Sequence, residues 1–226
     1  MLFCLDRAGL VGQDGPTHNG VFDLAYLRTL PGIVVAAPRD ATDMRRMLEL
    51  GLRLSGPLAL RYPRDNCPAL ERIHESERRE MEPGRAEVLR EGSPEGEAQV
   101  AVWALGPLVG EALLAAERLA QRGISVAVVD ARFAKPLDEE LLARHAQGFR
   151  YLITLEEHQR AGGFGSAVLE SLARQPLAPR AQVRVLGIPD RFVEHRTTRE
   201  EQLADCGIDA DSVQRAIEKL LRTSLV

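Results

Sequence analysis

Aromatic residues, lysine and long hydrophobic runs are all scarce in this sequence of 226 residues. Aromatic residues make up 4% of the chain, and two of its 29 basic residues are lysines, the rest being arginines. No apolar run approaches the roughly 18 residues that a membrane-spanning helix needs. The first residues, Met1 to Leu5, lack the basic region that opens a signal peptide, and Asp6 and Arg7 interrupt them at once. We therefore expect no membrane association and no secretory leader.

Cysteine is also rare, and its positions argue against two kinds of site. Cys4, Cys67 and Cys206 lack the short spacing of metal ligands, and an odd number does not suggest a disulfide framework. A reducing, cytoplasmic compartment is therefore expected.

The formal net charge of -4 is not the basic surplus typical of nucleic-acid-binding proteins, so no nucleic-acid partner is expected.

The apolar segments predict an α/β protein in two parts. In residues 1–68, short apolar strands alternate with helices, which is typical of a parallel sheet covered on both faces. Residues 69–85 are dense in mixed charge and predict a surface linker. Residues 86–226 alternate again and predict a three-layer domain with a mostly parallel sheet. The predicted strands are 2–5, 33–37, 58–62, 86–90, 99–105, 125–130, 151–155 and 183–187, and the predicted helices are 21–30, 40–52, 108–122, 138–147, 164–174, 198–204 and 210–221.

The loop after the first strand is the part of the sequence richest in chemistry. It offers a guanidinium (Arg7), a carboxylate (Asp14), a hydroxyl (Thr17) and an imidazole (His18). The carboxyl ends of parallel strands are where ligands bind in open α/β sheets. An arginine suits phosphate, and an imidazole exchanges protons near neutral pH. The alternative is structural, with Asp14 and Thr17 capping a turn, His18 hydrogen-bonded within the loop, and Arg7 in a surface ion pair.

The third strand ends in two further arginines, Arg61 and Arg64. Two arginines at the end of a strand can reach the same crevice as Arg7, which predicts a shared anion site. The alternative is a solvated strand end. Nothing in the spacing of these residues separates the two interpretations.

Two more clusters admit both a functional and a structural interpretation. Glu156, Glu157 and His158 precede a Gly-rich turn, Gly162 to Gly165, that could bind a phosphate at a helix N-terminus or, more weakly, a metal. The pattern is neither a dinucleotide fingerprint nor a P-loop. A tight packing turn at a domain interface is the structural alternative, and the same alternative holds for Glu194 and His195.

Several stretches resemble the 1-deoxy-D-xylulose-5-phosphate synthases, thiamine-diphosphate enzymes of the transketolase superfamily. They are DRAGLVGQDGPTHNGVFDLAYLRTLPGIVVAAPRD, LALRYPRDN, VVDARFAKPLDEELL, ITLEEHQRAGGFGSAVLESL and LGIPDRFVEH. The DRAG–DGPTH stretch is specific to the synthases, whereas the KPLD and EEH–GGFG stretches are shared more widely among transketolases. The resemblance implies the C-terminal half of a pyrimidine-binding domain in residues 1–68 and a transketolase C-terminal domain in residues 86–226.

The resemblance also implies an activity. Such a transferase joins pyruvate, after its decarboxylation, to D-glyceraldehyde 3-phosphate, and the product serves isoprenoid, thiamine and pyridoxal synthesis. Carried over by position, Arg7 and Arg64 would bind the aldehyde's phosphate, Asp14 would bind its hydroxyl, and His18 would assist proton transfer as a catalytic residue. The full enzyme is expected to be a cytoplasmic homodimer.

The sequence departs from the family in ways that shape these expectations. The Gly-Asp-Gly motif that binds diphosphate and magnesium is absent, as is the glutamate that activates the aminopyrimidine. The chain therefore resembles a C-terminal portion that lacks the main determinants for thiamine diphosphate and Mg, and we expect it to be inactive alone. A subunit of a split transketolase-like enzyme and a non-catalytic assembly module remain as alternatives. Asn19, Asp65 and Arg196 are smaller departures, and Asp65 predicts weaker anion binding nearby.

Overall fold

The structure is a computed structural model, and it describes residues 1–66, 81–92 and 100–223. The elements are β1 (Leu2–Leu5), α1 (Asp23–Leu27), β2 (Val34–Ala36), α2 (Ala41–Arg53), β3 (Leu58–Arg61), β4 (Glu87–Arg90), β5 (Val100–Ala104), α3 (Leu108–Ala120), β6 (Val126–Asp130), β7 (Phe133–Lys135), α4 (Glu139–Gly148), β8 (Tyr151–Gln159), α5 (Phe164–Arg174), β9 (Gln182–Ile188), α6 (Arg199–Cys206) and α7 (Ala210–Thr223). Most of the predicted linker, and Cys67, lie outside the described residues. Within them, no helix combines the length and hydrophobicity needed to cross a bilayer.

The first sheet has the strand order β1-β3-β2-β7. The first three strands are parallel, with Leu2 opposite Leu58 and Val34 opposite Leu58 from the other side. The fourth strand, β7, is antiparallel to β2 and comes from the second part of the chain. The sequence carries no signal for this three-residue strand, and its position means that the two parts of the chain share one sheet.

The second sheet has the order β4-β6-β5-β8-β9, and only its edge strand β4 is antiparallel. Alternate residues of β5 serve two cores, as the two-residue period of a strand requires. Val100 and Val102 pack in a cluster with α3 and α7. Ala101 and Trp103 pack in a second cluster that includes Val35 from the first sheet, together with residues of α4 and α5. The predicted α/β architecture with mostly parallel sheets is confirmed.

The first strand differs from its prediction as a buried strand. Phe3 is 45% exposed and Cys4 is exposed as well, because β1 lies at the edge of its sheet and, in the described part of the chain, pairs with β3 alone. All four residues of β3, in contrast, are buried. The first sheet therefore presents an unpaired strand edge with an apolar side chain on it.

Two helices begin at an aspartate that caps the first turn. The Asp40 carboxylate accepts from the Asp43 backbone N–H at 2.8 Å, and the Asp138 carboxylate accepts from the Leu141 N–H at 3.0 Å. Strand β8 continues four residues beyond its predicted end, to Gln159. This extension buries the Glu156–His158 cluster inside a strand instead of leaving it in a turn.

Candidate functional site

The loops after β1 and β3 leave the first sheet side by side. The Tyr62 N–H donates to the Leu5 carbonyl at 3.0 Å, and the Ala8 N–H donates to the Tyr62 carbonyl at 3.0 Å. This parallel pairing continues past the strand ends, so the residues just after each strand share one edge of the sheet. As predicted, that edge brings Arg7 and Arg64 to the same place.

Asp14 lies between the two arginines. Arg64 NH1 pairs with Asp14 Oδ2, and Arg7 Nε lies 3.5 Å from the same oxygen. The hydrogen bond from Arg64 holds the pKa of Asp14 below its ordinary value, so the carboxylate is ionised at neutral pH. Three residues separated by up to 57 positions in sequence thus form one cluster, which we call the Arg7–Asp14–Arg64 cluster.

Arg7 has an unusual backbone and a partly unused side chain. Its φ of 56° lies in the left-handed region that residues with a Cβ rarely adopt. Its NH1 donates to Asp6 at 2.6 Å, while its Nε is buried without a hydrogen-bond partner in the described part of the chain. The structure therefore holds this guanidinium between the carboxylates of Asp6 and Asp14, with its Nε 3.5 Å from Asp14 Oδ2.

His18 lies four residues after Asp14 on the same loop and is exposed. Its ring Nδ1 is 3.1 Å from the Thr17 hydroxyl, and its backbone N–H donates to the Gly15 carbonyl at 3.1 Å. Among the described residues, the ring of His18 forms no hydrogen bond or ion pair with the cluster. The imidazole is thus exposed on the loop that carries Asp14, with Thr17 as the hydrogen-bond partner of its ring.

Arg61 does not join the anion site that the sequence suggested for it. Its guanidinium makes two hydrogen bonds to the Asp23 carboxylate, and both side chains are buried. It also donates to the backbone carbonyl of Gly20 at 3.2 Å. The expectation for Arg61 was wrong because the start of α1 supplies a buried carboxylate that occupies it.

The Gly-rich turn before α5 is a packing turn and not a phosphate cradle. The Glu156 carboxylate accepts from the Phe164 N–H at 2.5 Å and from the Gly165 N–H at 2.8 Å, so a protein carboxylate already fills this helix N-terminus. Arg28, from the first part of the chain, donates to the carbonyls of Gly162 and Gly163 at 2.7 and 3.0 Å. Burial raises the pKa of Glu156 to about 8, and the two N–H groups oppose that shift.

The metal hypothesis for the same cluster also fails on geometry. Glu157 is paired with Arg199, and the His158 ring is buried with its Nδ1 2.7 Å from the Gln159 carbonyl. No group of three His, Cys, Asp or Glu side chains among the described residues is placed to hold a metal ion. Glu194 and His195 are exposed, and Glu194 contributes its backbone carbonyl to Gln202 at 2.9 Å.

The contacts that hold the loop in place were not predicted. The Leu10 N–H donates to Glu157 Oε1 at 2.7 Å, and the Gly12 N–H donates to Gln202 Oε1 at 2.7 Å. Asn19, a departure from the family pattern, accepts from the Val11 N–H at 3.1 Å and donates to the Val193 carbonyl at 3.0 Å. These partners lie up to 190 residues away, so spacing alone could not have revealed them.

A second unpredicted network joins the two sheets. Arg39, before α2, donates to Glu87 of β4 at 2.5 Å and to Asp130 of β6 at 3.0 Å. Arg132 pairs with the same Glu87, and its backbone N–H donates to Asp130 at 2.9 Å. Burial is the main reason that the pKa of Asp130 is raised. This network fixes the first sheet against the second and lies outside the Arg7–Asp14–Arg64 cluster.

Known proteins resemble this chain over most of its length. The protein from Syntrophotalea carbinolica named 1-deoxy-D-xylulose-5-phosphate synthase is 46% identical over 97% of this chain and 33% of its own length. The protein of the same name from Thermus thermophilus is 47% identical over 96% of this chain and 32% of its own length. The chain thus spans about a third of the relatives it matches.

Two solved structures share the fold. One, described as a split gene transketolase in an inactive beta4 tetramer, has a TM-score of 0.82 at 33% identity and covers 98% of this chain and 67% of that chain. Transketolase from Campylobacter jejuni has a TM-score of 0.73 at 20% identity, over 96% of this chain and 31% of that one, which shows the fold alone. Residues 1–69 match the transketolase pyrimidine binding domain, and residues 84–213 match the transketolase C-terminal domain. The chain therefore belongs to the transketolase family.

Proposed function

We propose that this chain is the C-terminal part of a thiamine-diphosphate-dependent 1-deoxy-D-xylulose-5-phosphate synthase and supplies the site for D-glyceraldehyde 3-phosphate. The observation that carries the proposal is the convergence of Arg7, Asp14 and Arg64 at one strand edge. The identity to the named synthases supports the same choice of substrate class. The proposal places the full enzyme in the cytoplasm as a homodimer that condenses pyruvate with the aldehyde.

Each residue of the site has a role that its chemistry allows. Arg7 and Arg64 would bind the phosphate through charge-assisted hydrogen bonds. A phosphate dianion carries more charge than Asp14, so its arrival would draw Arg64 away from that carboxylate. The freed Asp14 oxygen could then accept a hydrogen bond from the aldehyde's hydroxyl. His18 would hold or deliver a proton at the carbonyl oxygen as the new carbon–carbon bond forms.

The cofactor expected of the family finds few partners in the described residues. The N-terminus of α5, the diphosphate site considered from sequence, is filled by Glu156, and no carboxylate cluster among the described residues is arranged for magnesium. These residues therefore do not fit the diphosphate and metal end of thiamine diphosphate. In this proposal the chain acts on the aldehyde side, and the cofactor's binding groups come from elsewhere in the full enzyme.

The split-gene structure favours a second candidate, a subunit of a two-chain transketolase-like enzyme. That protein shares 33% identity with this chain, and the match covers 67% of it. The first candidate is favoured because the synthases named above reach 46% and 47% identity. The two candidates differ in whether the missing part belongs to the same polypeptide.

A chimera tests the proposal. The C-terminal third of the Syntrophotalea carbinolica relative is replaced by this chain, and turnover of pyruvate with D-glyceraldehyde 3-phosphate is measured with thiamine diphosphate and Mg. We expect activity from the chimera and none from the 226-residue chain alone. A folded chimera without synthase activity, or turnover by the chain alone, would contradict the proposal.

A further inference from the structure

Arg199, in the C-terminal segment, contacts both loops that carry the Arg7–Asp14–Arg64 cluster. It reaches the loop after β1 through Glu157 and the loop after β3 through Asp65. Arg199, the first residue of α6, donates from Nε to Glu157 Oε1 at 2.8 Å, and its NH2 pairs with Glu157 Oε2. Its NH1 lies 3.4 Å from Asp65 Oδ2. Asp65 is the immediate neighbour of Arg64 in the loop after β3.

The Glu157 carboxylate in turn holds the loop after β1. Its Oε1 accepts the Leu10 N–H, and Gly9 approaches so closely that a Cβ there would come within 2.5 Å of Glu157 Cδ. Glu157 is 4% exposed, so its charge needs a partner inside the protein. Arg199 is that partner, and its own side chain is 12% exposed.

The first turn of α6 adds a second anchor for the same loop. The Gln202 amide accepts the Gly12 N–H, and the Arg196 N–H donates to the Gly12 carbonyl at 3.0 Å. A capping box between Thr198 and Glu201 fixes the start of the helix. The backbone that leads to Asp14 is therefore held from both sides by residues of the C-terminal segment.

We propose that Arg199 is a positioning residue that sets the two loops against each other so that Arg64 meets Asp14. It does so through Glu157 on one side and Asp65 on the other. Its charge also offsets Asp65, the residue expected from sequence to weaken anion binding beside Arg64. This inference rests on the proposed function only in taking the cluster as a phosphate site.

Amide hydrogen exchange tests the positioning directly, on the 226-residue chain and without an activity assay. Arg199→Met keeps the length of the side chain and removes its charge, leaving Glu157 unpaired. We expect exchange at the Leu10 and Gly12 amides to be about 10- to 150-fold faster, the loss expected for a charged hydrogen bond. Exchange at β5 amides is the measure that the fold persists.

Two further variants keep this test decisive. Arg118→Met removes an arginine from a remote surface pair with Asp211 and should leave the Leu10 and Gly12 amides unchanged. Arg199→Lys restores charge without the two-pronged guanidinium, so its exchange rates should fall between those of the wild type and Arg199→Met. Unchanged Leu10 and Gly12 exchange in a folded Arg199→Met chain would overturn the proposal.

A binding titration with glycerol 3-phosphate as the probe tests the second part of the proposal, that the charge of Arg199 offsets the charge of Asp65. Arg199→Met should weaken binding, and Asp65→Asn added to it should restore much of the affinity without restoring protection at Leu10. Failure of that restoration would overturn the offset of Asp65 by Arg199. If Arg7→Ala and Arg64→Ala leave binding of the probe unchanged, the proposed function fails, while the exchange data still judge Arg199 by themselves.

Discussion

Arg61, the last residue of β3, makes a two-bond pair with Asp23 at the start of α1, from Nε to Oδ2 at 2.8 Å and from NH2 to Oδ1 at 3.1 Å. The two side chains are 5% and 8% exposed. The same guanidinium reaches the Gly20 carbonyl, which ends the loop that carries Asp14 and His18. The pair therefore holds the end of the loop that carries the candidate site, and it takes no part in the chemistry proposed there.

Removing one member of the Arg61–Asp23 pair should lower the free energy of unfolding. Arg61→Met leaves Asp23 buried without its counterion, and we expect a loss of about 3–5 kcal/mol in the free energy of unfolding. Urea denaturation of the wild type and the variant measures the difference. Arg174→Met is the matched control, because Arg174 pairs with Glu139 on the surface with both side chains more than half exposed. That control should cost less than about 1 kcal/mol, and an equally small loss for Arg61→Met would contradict the structural role.

The two arginines of the cluster should govern affinity for the aldehyde. In the chimera, Arg7→Ala or Arg64→Ala removes charge-assisted hydrogen bonds worth about 1.5–3 kcal/mol each. We expect the KM for D-glyceraldehyde 3-phosphate to rise by about 10- to 150-fold, with little change in the affinity for thiamine diphosphate. Steady-state kinetics with varied aldehyde measure this. An unchanged KM in both variants would return Arg7 and Arg64 to the role of surface ion pairs.

His18 should act on turnover more than on binding. His18→Ala removes the imidazole that we propose holds or delivers a proton, so kcat of the chimera should fall by about 100-fold or more. The KM for the aldehyde should change much less, since the phosphate contacts remain. Thr17→Ala is a neighbouring control that removes the hydroxyl beside the ring and should keep most of the activity. A fall in kcat that is no larger for His18→Ala than for Thr17→Ala would argue against proton transfer by His18.

The parts of the site that depend on strand ends were predictable from sequence. When parallel strands end in short loops, the first residues after neighbouring strands lie together at the carboxyl edge of the sheet. That rule places Arg7 beside Arg64 once β1 and β3 are neighbours, and the structure supplies this strand order. The helix caps Asp40 and Asp138 were equally predictable, because they depend on a backbone N–H only three residues away.

The parts that depend on distant partners were not predictable. Arg61 and Arg64 look alike in sequence, and only the buried carboxylate of Asp23, 38 residues away, makes one structural and leaves the other at the surface. Strand β7 has three residues and exists because β2 offers it an open edge. Arg199 supports the site from 42 residues beyond Glu157, a relationship that no local pattern encodes.

Acidification should be visible through the single tryptophan of the chain. Trp103 Nε1 donates to His145 Nδ1 at 3.2 Å, and burial lowers the pKa of His145 to about 4 from its ordinary 6.5. The folded state therefore binds this proton less readily than the unfolded state. The resulting stability is fully present above about pH 6.5 and is lost as the pH falls toward 4.

Protonation of His145 also fills the acceptor position at Nδ1, so the hydrogen bond from the Trp103 indole must break. We expect Trp103 fluorescence to change over this range and the free energy of unfolding in urea to decline with it. His145→Gln can still accept from the indole but does not titrate, and its fluorescence should stay constant across the same range. If the variant and the wild type change alike, the transition belongs to other groups.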